Sequence, residues 1–96
     1  MNRSTLLNNL SEFKRLNKKK YGILSIGFFG SYARDQNTDA SDVDIVVKTE
    51  TPNPFNIVHI KEELEEQLKI SIDIIRLRNK MNPYLKSRIE KEAVYV

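Results

Sequence analysis

The chain has 96 residues, 40% of them hydrophobic and 30% charged, with a formal net charge of +3. This length predicts one domain over residues 1–96, with a core of modest size. The lack of cysteine excludes disulfides and thiolate metal sites; no apolar run nears the ~20 residues that span a bilayer, and Met1–Leu10 has no basic start leading into an apolar stretch, so a cytoplasmic protein without signal peptide or membrane contact is expected.

Leu6, Leu10 and Phe13 recur at i, i+4 and i+7, with Leu7 and Leu16 beside them, which predicts an amphipathic helix over residues 4–19. Tyr21-Gly22 ends it, because glycine suits a helix C-terminus. Ile23 to Phe29 is short, apolar and partly β-branched, and reads as a buried strand. Gly30-Ser31 breaks that strand, and Tyr32 to Arg34 is expected to start a short helix. Asp35 to Ser41 is polar and aperiodic, hence a loop. Val43 to Lys48 is a second strand, followed by a loop over Thr49 to Pro54. Phe55 to Lys69 is a second long helix, with Ile57, Ile60, Leu64 and Leu68 on one face and Glu62, Glu63, Glu65 and Glu66 largely on the other. Ile70 to Arg76 is a third strand. Asn82 caps a last helix that Pro83 opens, with Leu85 and Ile89 inward. Ala93 to Val96 forms a tail free to pack on the sheet or pair with it. Strands separated by helices predict an α/β domain in two or three layers.

Charge is unevenly spread. Residues 1–20 carry six basic side chains against Glu12 alone, and residues 76–96 carry six against Glu90 and Glu92. The middle has ten carboxylates against Arg34, Lys48, Lys61 and Lys69. Basic flanks around an acidic centre suit a polyanion held beside a metal, although solvated helix faces explain the same pattern.

Asp42 and Asp44 are two residues apart, so on a strand they share a face while Val43 and Ile45 turn to the core. Adjacent like charges repel unless a cation sits between them, and hard oxygen ligands suit magnesium. Taken alone, the pair fits equally an exposed edge whose aspartates block aggregation. Asp73 lies among Ile70, Ile72, Ile74 and Ile75, in a strand that otherwise reads as buried, where an unpaired carboxylate is costly. A neighbouring strand ~4.8 Å away would bring it to the pair; the alternative is a one-sided sheet with Asp73 in solvent. Gly30-Ser31 after a strand permits close backbone approach, and a helix start there would offer N–H groups to phosphate, although a plain turn is the commoner meaning. Arg34, one turn on, is placed to meet a phosphate or an aspartate, or simply to face solvent. His59, in the long helix, reads as structural or exposed.

Gly30-Ser31-Tyr32-Ala33-Arg34 followed by Ser41-Asp42-Val43-Asp44-Ile45-Val46-Val47 resembles the GSxAR…SDxDxxV signature of the minimal nucleotidyltransferases (MNT), in the DNA-polymerase-beta-like superfamily. The resemblance extends from the leading helix through the Leu/Glu helix and the Ile-Asp-Ile strand at Asp73 to the ending Ile89–Val96. It implies a small mixed β-sheet flanked by helices, the nucleotidyltransferase (polymerase-beta-like) fold. It implies that Asp42 and Asp44 bind metal and that Asp73 is the third catalytic carboxylate. Gly30, Ser31 and Arg34 would bind nucleotide. Two magnesium ions ~3.5–4 Å apart would clamp an in-line displacement, with ATP as substrate and pyrophosphate released. Asp73 would ligate the metal nearer the acceptor and help deprotonate its hydroxyl. One departure stands out: members usually have glycine after the arginine, where this chain has Asp35.

Polymerases of the superfamily add domains that grip template or primer. None is expected here, so acceptor binding would fall to a partner or an oligomer. Small proteins of this kind resemble the antitoxin of toxin–antitoxin pairs whose toxin is a HEPN-domain ribonuclease, and the implied reaction is AMP transfer onto a toxin tyrosine. A binding-only antitoxin and a transferase for a small molecule or nucleic acid are the other readings. Nucleic acid is not favoured, because no stacking platform of aromatic and basic residues is apparent.

Overall fold

The computed structural model describes every residue from Met1 to Val96. The chain runs α1 (Arg3–Tyr21), β1 (Ile23–Phe29), β2 (Val43–Thr49), α2 (Pro54–Leu68), β3 (Ile72–Arg76), α3 (Pro83–Glu92) and β4 (Val94–Tyr95). Each helix starts on an asparagine whose side-chain oxygen accepts backbone N–H groups that would otherwise lack partners. Asn2 accepts from Thr5, Asn53 from Phe55 and Asn56, and Asn82 from Tyr84 and Leu85. Pro54 therefore belongs to α2 rather than to the preceding loop, because its fixed φ suits the first turn. α1 ends on Gly22 at φ 63, and α2 on Lys69 at φ 58.

The four strands form one mixed sheet in the order β3-β2-β1-β4. β1 is antiparallel to β2 and to β4, while β2 and β3 run parallel, joined through α2. The C-terminal tail thus pairs with the sheet, Gly27 with Tyr95 and Phe28 with Val94. A register shift between Ile23 and Ser25 leaves Leu24 46% exposed in an otherwise buried strand.

Side-chain alternation divides the sheet into two faces. Ile26, Phe28, Val43, Ile45, Val47 and Ile72 pack against Leu6, Leu10 and Phe13 of α1 and Ile60 and Leu64 of α2, forming the main core. On the opposite face a smaller cluster of Phe29, Val46 and Ile89 is joined by Ile75, Leu77, Met81, Leu85 and Ala93. This is the expected α/β class, with a small mixed sheet flanked by helices. No helix is long and apolar enough to cross a membrane.

The expected helix over Tyr32 to Arg34 is instead a single turn. The Arg34 N–H bonds to the Gly30 carbonyl (3.1 Å), then Gln36 N–H reaches the Ser31 carbonyl (2.8 Å) and Asp35 N–H the Tyr32 carbonyl (3.3 Å). That bond pair is a Schellman closure, with Asp35 in the left-handed region at φ 58, so the turn ends as soon as it forms. Asp35 occupies the position that glycine suits, and aspartate is among the residues that tolerate it.

Candidate active site

The parallel register sets Asp44 directly beside Asp73, so the two carboxylates share the sheet face that α3 covers only in part. The next pairs on the same strands, Val43 with Ile72 and Ile45 with Ile74, turn to the main core. Asp42 immediately precedes β2 and is exposed, so it stands at the mouth of the strand rather than within it. Asp44 is half-buried and Asp73 exposed. Asp73 therefore departs from the buried setting expected of its strand: β3 is the sheet's edge, and Asp73 is exposed there.

The Asp44 carboxyl is held above the usual carboxylate range, first by burial and next by the charge of Asp73, with Asp42 adding to the effect and Arg88 and Arg34 opposing it. Asp42 and Asp73 thus both lie near enough to Asp44 for their charges to raise its pKa. Their side chains do not close into a ready three-ligand cage, nor do any others in the chain. Magnesium is commonly held by one or two carboxylates plus substrate phosphates, so an open acidic cluster with one destabilised carboxylate fits that ion.

Gly30 forms the wall beside Asp44. Its φ is 73, and a Cβ added there would lie 2.1 Å from Asp44 Oδ2. The absence of a side chain thus lets the carboxylate lie against the backbone. The turn that follows is anchored from beneath by Tyr32, 1% exposed within the main core. The N–H groups of Ser31, Tyr32 and Ala33 and the Ser31 hydroxyl have no partner in the protein. Three successive amides at the start of a helical turn make an anion-binding concavity.

Arg34 is more committed than its spacing suggests. Its Nη1 donates to both oxygens of Glu92, at 3.1 and 3.0 Å, and its Nε to Gln36 Oε1 at 3.1 Å. Glu92 also accepts the Gly30 N–H at 3.2 Å, and Arg88 Nη2 lies 3.8 Å from it. Arg88 in turn stands over the Phe29 ring, 5.8 Å from its centroid. Sequence reasoning missed Glu92 and Arg88. They lie on a helix more than 50 residues from the turn, and although Glu92 falls in the ending Ile89–Val96 that shares in the resemblance, the resemblance gives neither a role. His59 is exposed on α2 and plays no part.

A family model described as a nucleotidyltransferase domain matches residues 10–96. Among curated relatives, MJ0128 of Methanocaldococcus jannaschii, provisionally named a protein adenylyltransferase, is 39% identical over 88 residues, covering 91% of this chain and 90% of that one. The protein adenylyltransferase MntA of Thermococcus cleftensis is 31% identical over 88 residues, covering 91% and 88%. A solved structure provisionally named a minimal nucleotidyltransferase aligns with a TM-score of 0.79 at 26% identity, over 98% of this chain and 95% of that one. The fold also matches a solved complex of a tri-AMPylated Shewanella oneidensis HEPN toxin with an MNT antitoxin, with a TM-score of 0.71 at 20% identity, over 97% and 70%.

Proposed function

This chain belongs to the nucleotidyltransferase domain family, and from that premise we propose that it is a magnesium-dependent protein adenylyltransferase that moves AMP from ATP onto a tyrosine of a partner HEPN-domain toxin, as the antitoxin of the pair. The observation that carries the reading is the side-by-side register of Asp44 and Asp73, next to a turn with three unpaired amides. The names of the relatives and the AMPylated toxin in the matched complex support the acceptor class.

In this reading the amides of Ser31, Tyr32 and Ala33 and the Ser31 hydroxyl hold the terminal phosphates of ATP. Asp42, Asp44 and Asp73 would hold magnesium, which neutralises phosphate charge and polarises the α-phosphorus. A phenol has an ordinary pKa near ~10, so the attacking tyrosine must shed its proton as it reacts. Asp73, exposed at the sheet edge, would accept it. The phenolic oxygen bonds to the α-phosphorus as the bond to the bridging oxygen breaks, and pyrophosphate leaves. Gly30 contributes by having no side chain, which keeps Asp44 seated against the turn.

The test is to incubate the protein with ATP, magnesium and the HEPN-domain product of a neighbouring gene, then to measure intact masses. A gain of AMP on a toxin tyrosine is expected, abolished by Asp42→Asn with Asp44→Asn. Toxin neutralisation that survives that double substitution would point to steric blocking alone. A product formed only with nucleic acid or a small alcohol would point to a different acceptor.

A further inference from the structure

Glu92 closes α3, and its side chain is only 21% exposed. Its carboxylate gathers donors from both ends of the Gly30–Arg34 turn: the Gly30 N–H at 3.2 Å and Arg34 Nη1 at 3.0 and 3.1 Å. Charge-assisted bonds of this kind are among the stronger and more directional in proteins. Between these tethered ends lie the amides of Ser31, Tyr32 and Ala33, which have no partner of their own. The carboxylate therefore takes the amide before the concavity and the guanidinium after it, and leaves the three in between to a ligand.

Arg88 Nη2, one turn back on α3, lies 3.8 Å from the same carboxylate.

We propose that Glu92 is a positioning residue for nucleotide transfer: by tying Gly30 and Arg34 together it keeps the amides of the turn facing phosphate. The proposal rests on the transferase reading above and adds a residue to it. Glu92 touches neither substrate nor reacting atoms in this role; it acts through the turn.

The experiment compares wild type, Glu92→Ala, Glu92→Gln, Arg34→Ala and the double variant Glu92→Ala with Arg34→Ala, with Leu85→Ala as a control for loosened packing of α3. ATP dissociation constants, transfer kinetics and thermal unfolding are measured for each. Glu92→Ala should weaken ATP binding and raise its KM by about tenfold, the scale found when orienting partners outside the reacting shell are removed. Glu92→Gln, which keeps an oxygen for the Gly30 N–H, should recover most of that loss. The double variant should cost no more than its worse single variant, as expected of residues acting as one unit. Leu85→Ala should lower the unfolding temperature without raising KM. Unchanged or tighter ATP binding in Glu92→Ala overturns the proposal; tighter binding would mean that the carboxylate competes with phosphate. A KM rise of the same size in Leu85→Ala also overturns it. If wild-type protein transfers AMP and Glu92→Ala does so equally well, this inference alone fails. If wild type binds no ATP, the transferase reading fails and takes this inference with it.

Discussion

Gly30→Ala and Gly22→Ala form a matched pair that separates backbone strain from damage to the site. Both glycines hold left-handed backbone, at φ 73 and φ 63. An L-residue there costs roughly 1–2 kcal/mol. In a domain of this size, 1 kcal/mol moves the unfolding midpoint by about 4–8 °C. The surroundings differ. A Cβ on Gly22 would meet Glu50 at 3.6 Å, an ordinary contact, whereas one on Gly30 would meet Asp44 Oδ2 at 2.1 Å and Cγ at 3.1 Å. To restore a carbon–oxygen separation near ~3.5 Å the carboxylate must retreat by more than about 1 Å. A misplacement of that size costs about 100-fold in rate. Thermal melts followed by circular dichroism should therefore show comparable losses for the two variants, somewhat larger for Gly30→Ala. Transfer assays should show a near-normal rate for Gly22→Ala at a temperature where both are folded, and a rate about 100-fold lower for Gly30→Ala. Wild-type activity in Gly30→Ala, or an equal loss in Gly22→Ala, would refute the claim that Gly30 is there to seat Asp44.

Asp44 should also tie stability to pH. Its folded pKa is raised, chiefly by burial and then by Asp73, so its contribution to stability is fully present below the unfolded pKa and is lost as pH rises through the folded value. With metal chelated, Asp44→Asn should unfold at a higher temperature than wild type near neutral pH. The gap should close in acid, across melts from about pH 3 to about pH 8; a gap that widens in acid would contradict the assignment. Adding magnesium should raise the wild-type midpoint and leave Asp44→Asn nearly unmoved. Asn82→Ala removes the oxygen that caps α3 and should cost about 1 kcal/mol by chemical denaturation. Leu10→Ala, at a fully buried position of α1, should cost about 2–5 kcal/mol, with no effect on nucleotide affinity in the fraction that remains folded.

Most of the fold is legible in the sequence because its signals are local. The Asn82 cap, Pro83 at the start of α3 and the period of Leu6, Leu10 and Phe13 each act within a few residues. The limits of β1 agree with the apolar run Ile23–Phe29. The approach of Asp73 to Asp44 follows from strand alternation once β2 and β3 are neighbours, and the parallel register sets the two side by side. Composition is the poorer guide. The isoleucines around Asp73 suggest burial on both faces, but β3 is an edge strand, and Ile74 and Ile75 are only partly covered. The turn after Gly30 stops short of a helix because its termination depends on the backbone conformation of Asp35, which no propensity reveals. The role of Glu92 is hidden for a simpler reason: although it lies in the ending Ile89–Val96 that shares in the resemblance, its partners are 58 and 62 residues away, and a glutamate near a helix end is most often a solvated charge.

The strand β2 explains how so small a domain tolerates an acidic cluster at all. Val43, Ile45 and Val47 are fully buried on one side, while Asp44 on the other sits where its charge is disfavoured. Like charges beside a half-buried carboxylate weaken the folded state, and the apolar contacts on the reverse of the same seven residues offset that cost. Alternation thus places the main core on one face of β2 and Asp44 on the other, where Val46 packs in the smaller cluster. The division also places the strain where a cation can relieve it: a bound divalent ion would remove the repulsion among Asp42, Asp44 and Asp73, so substrate loading and folding stability should rise together.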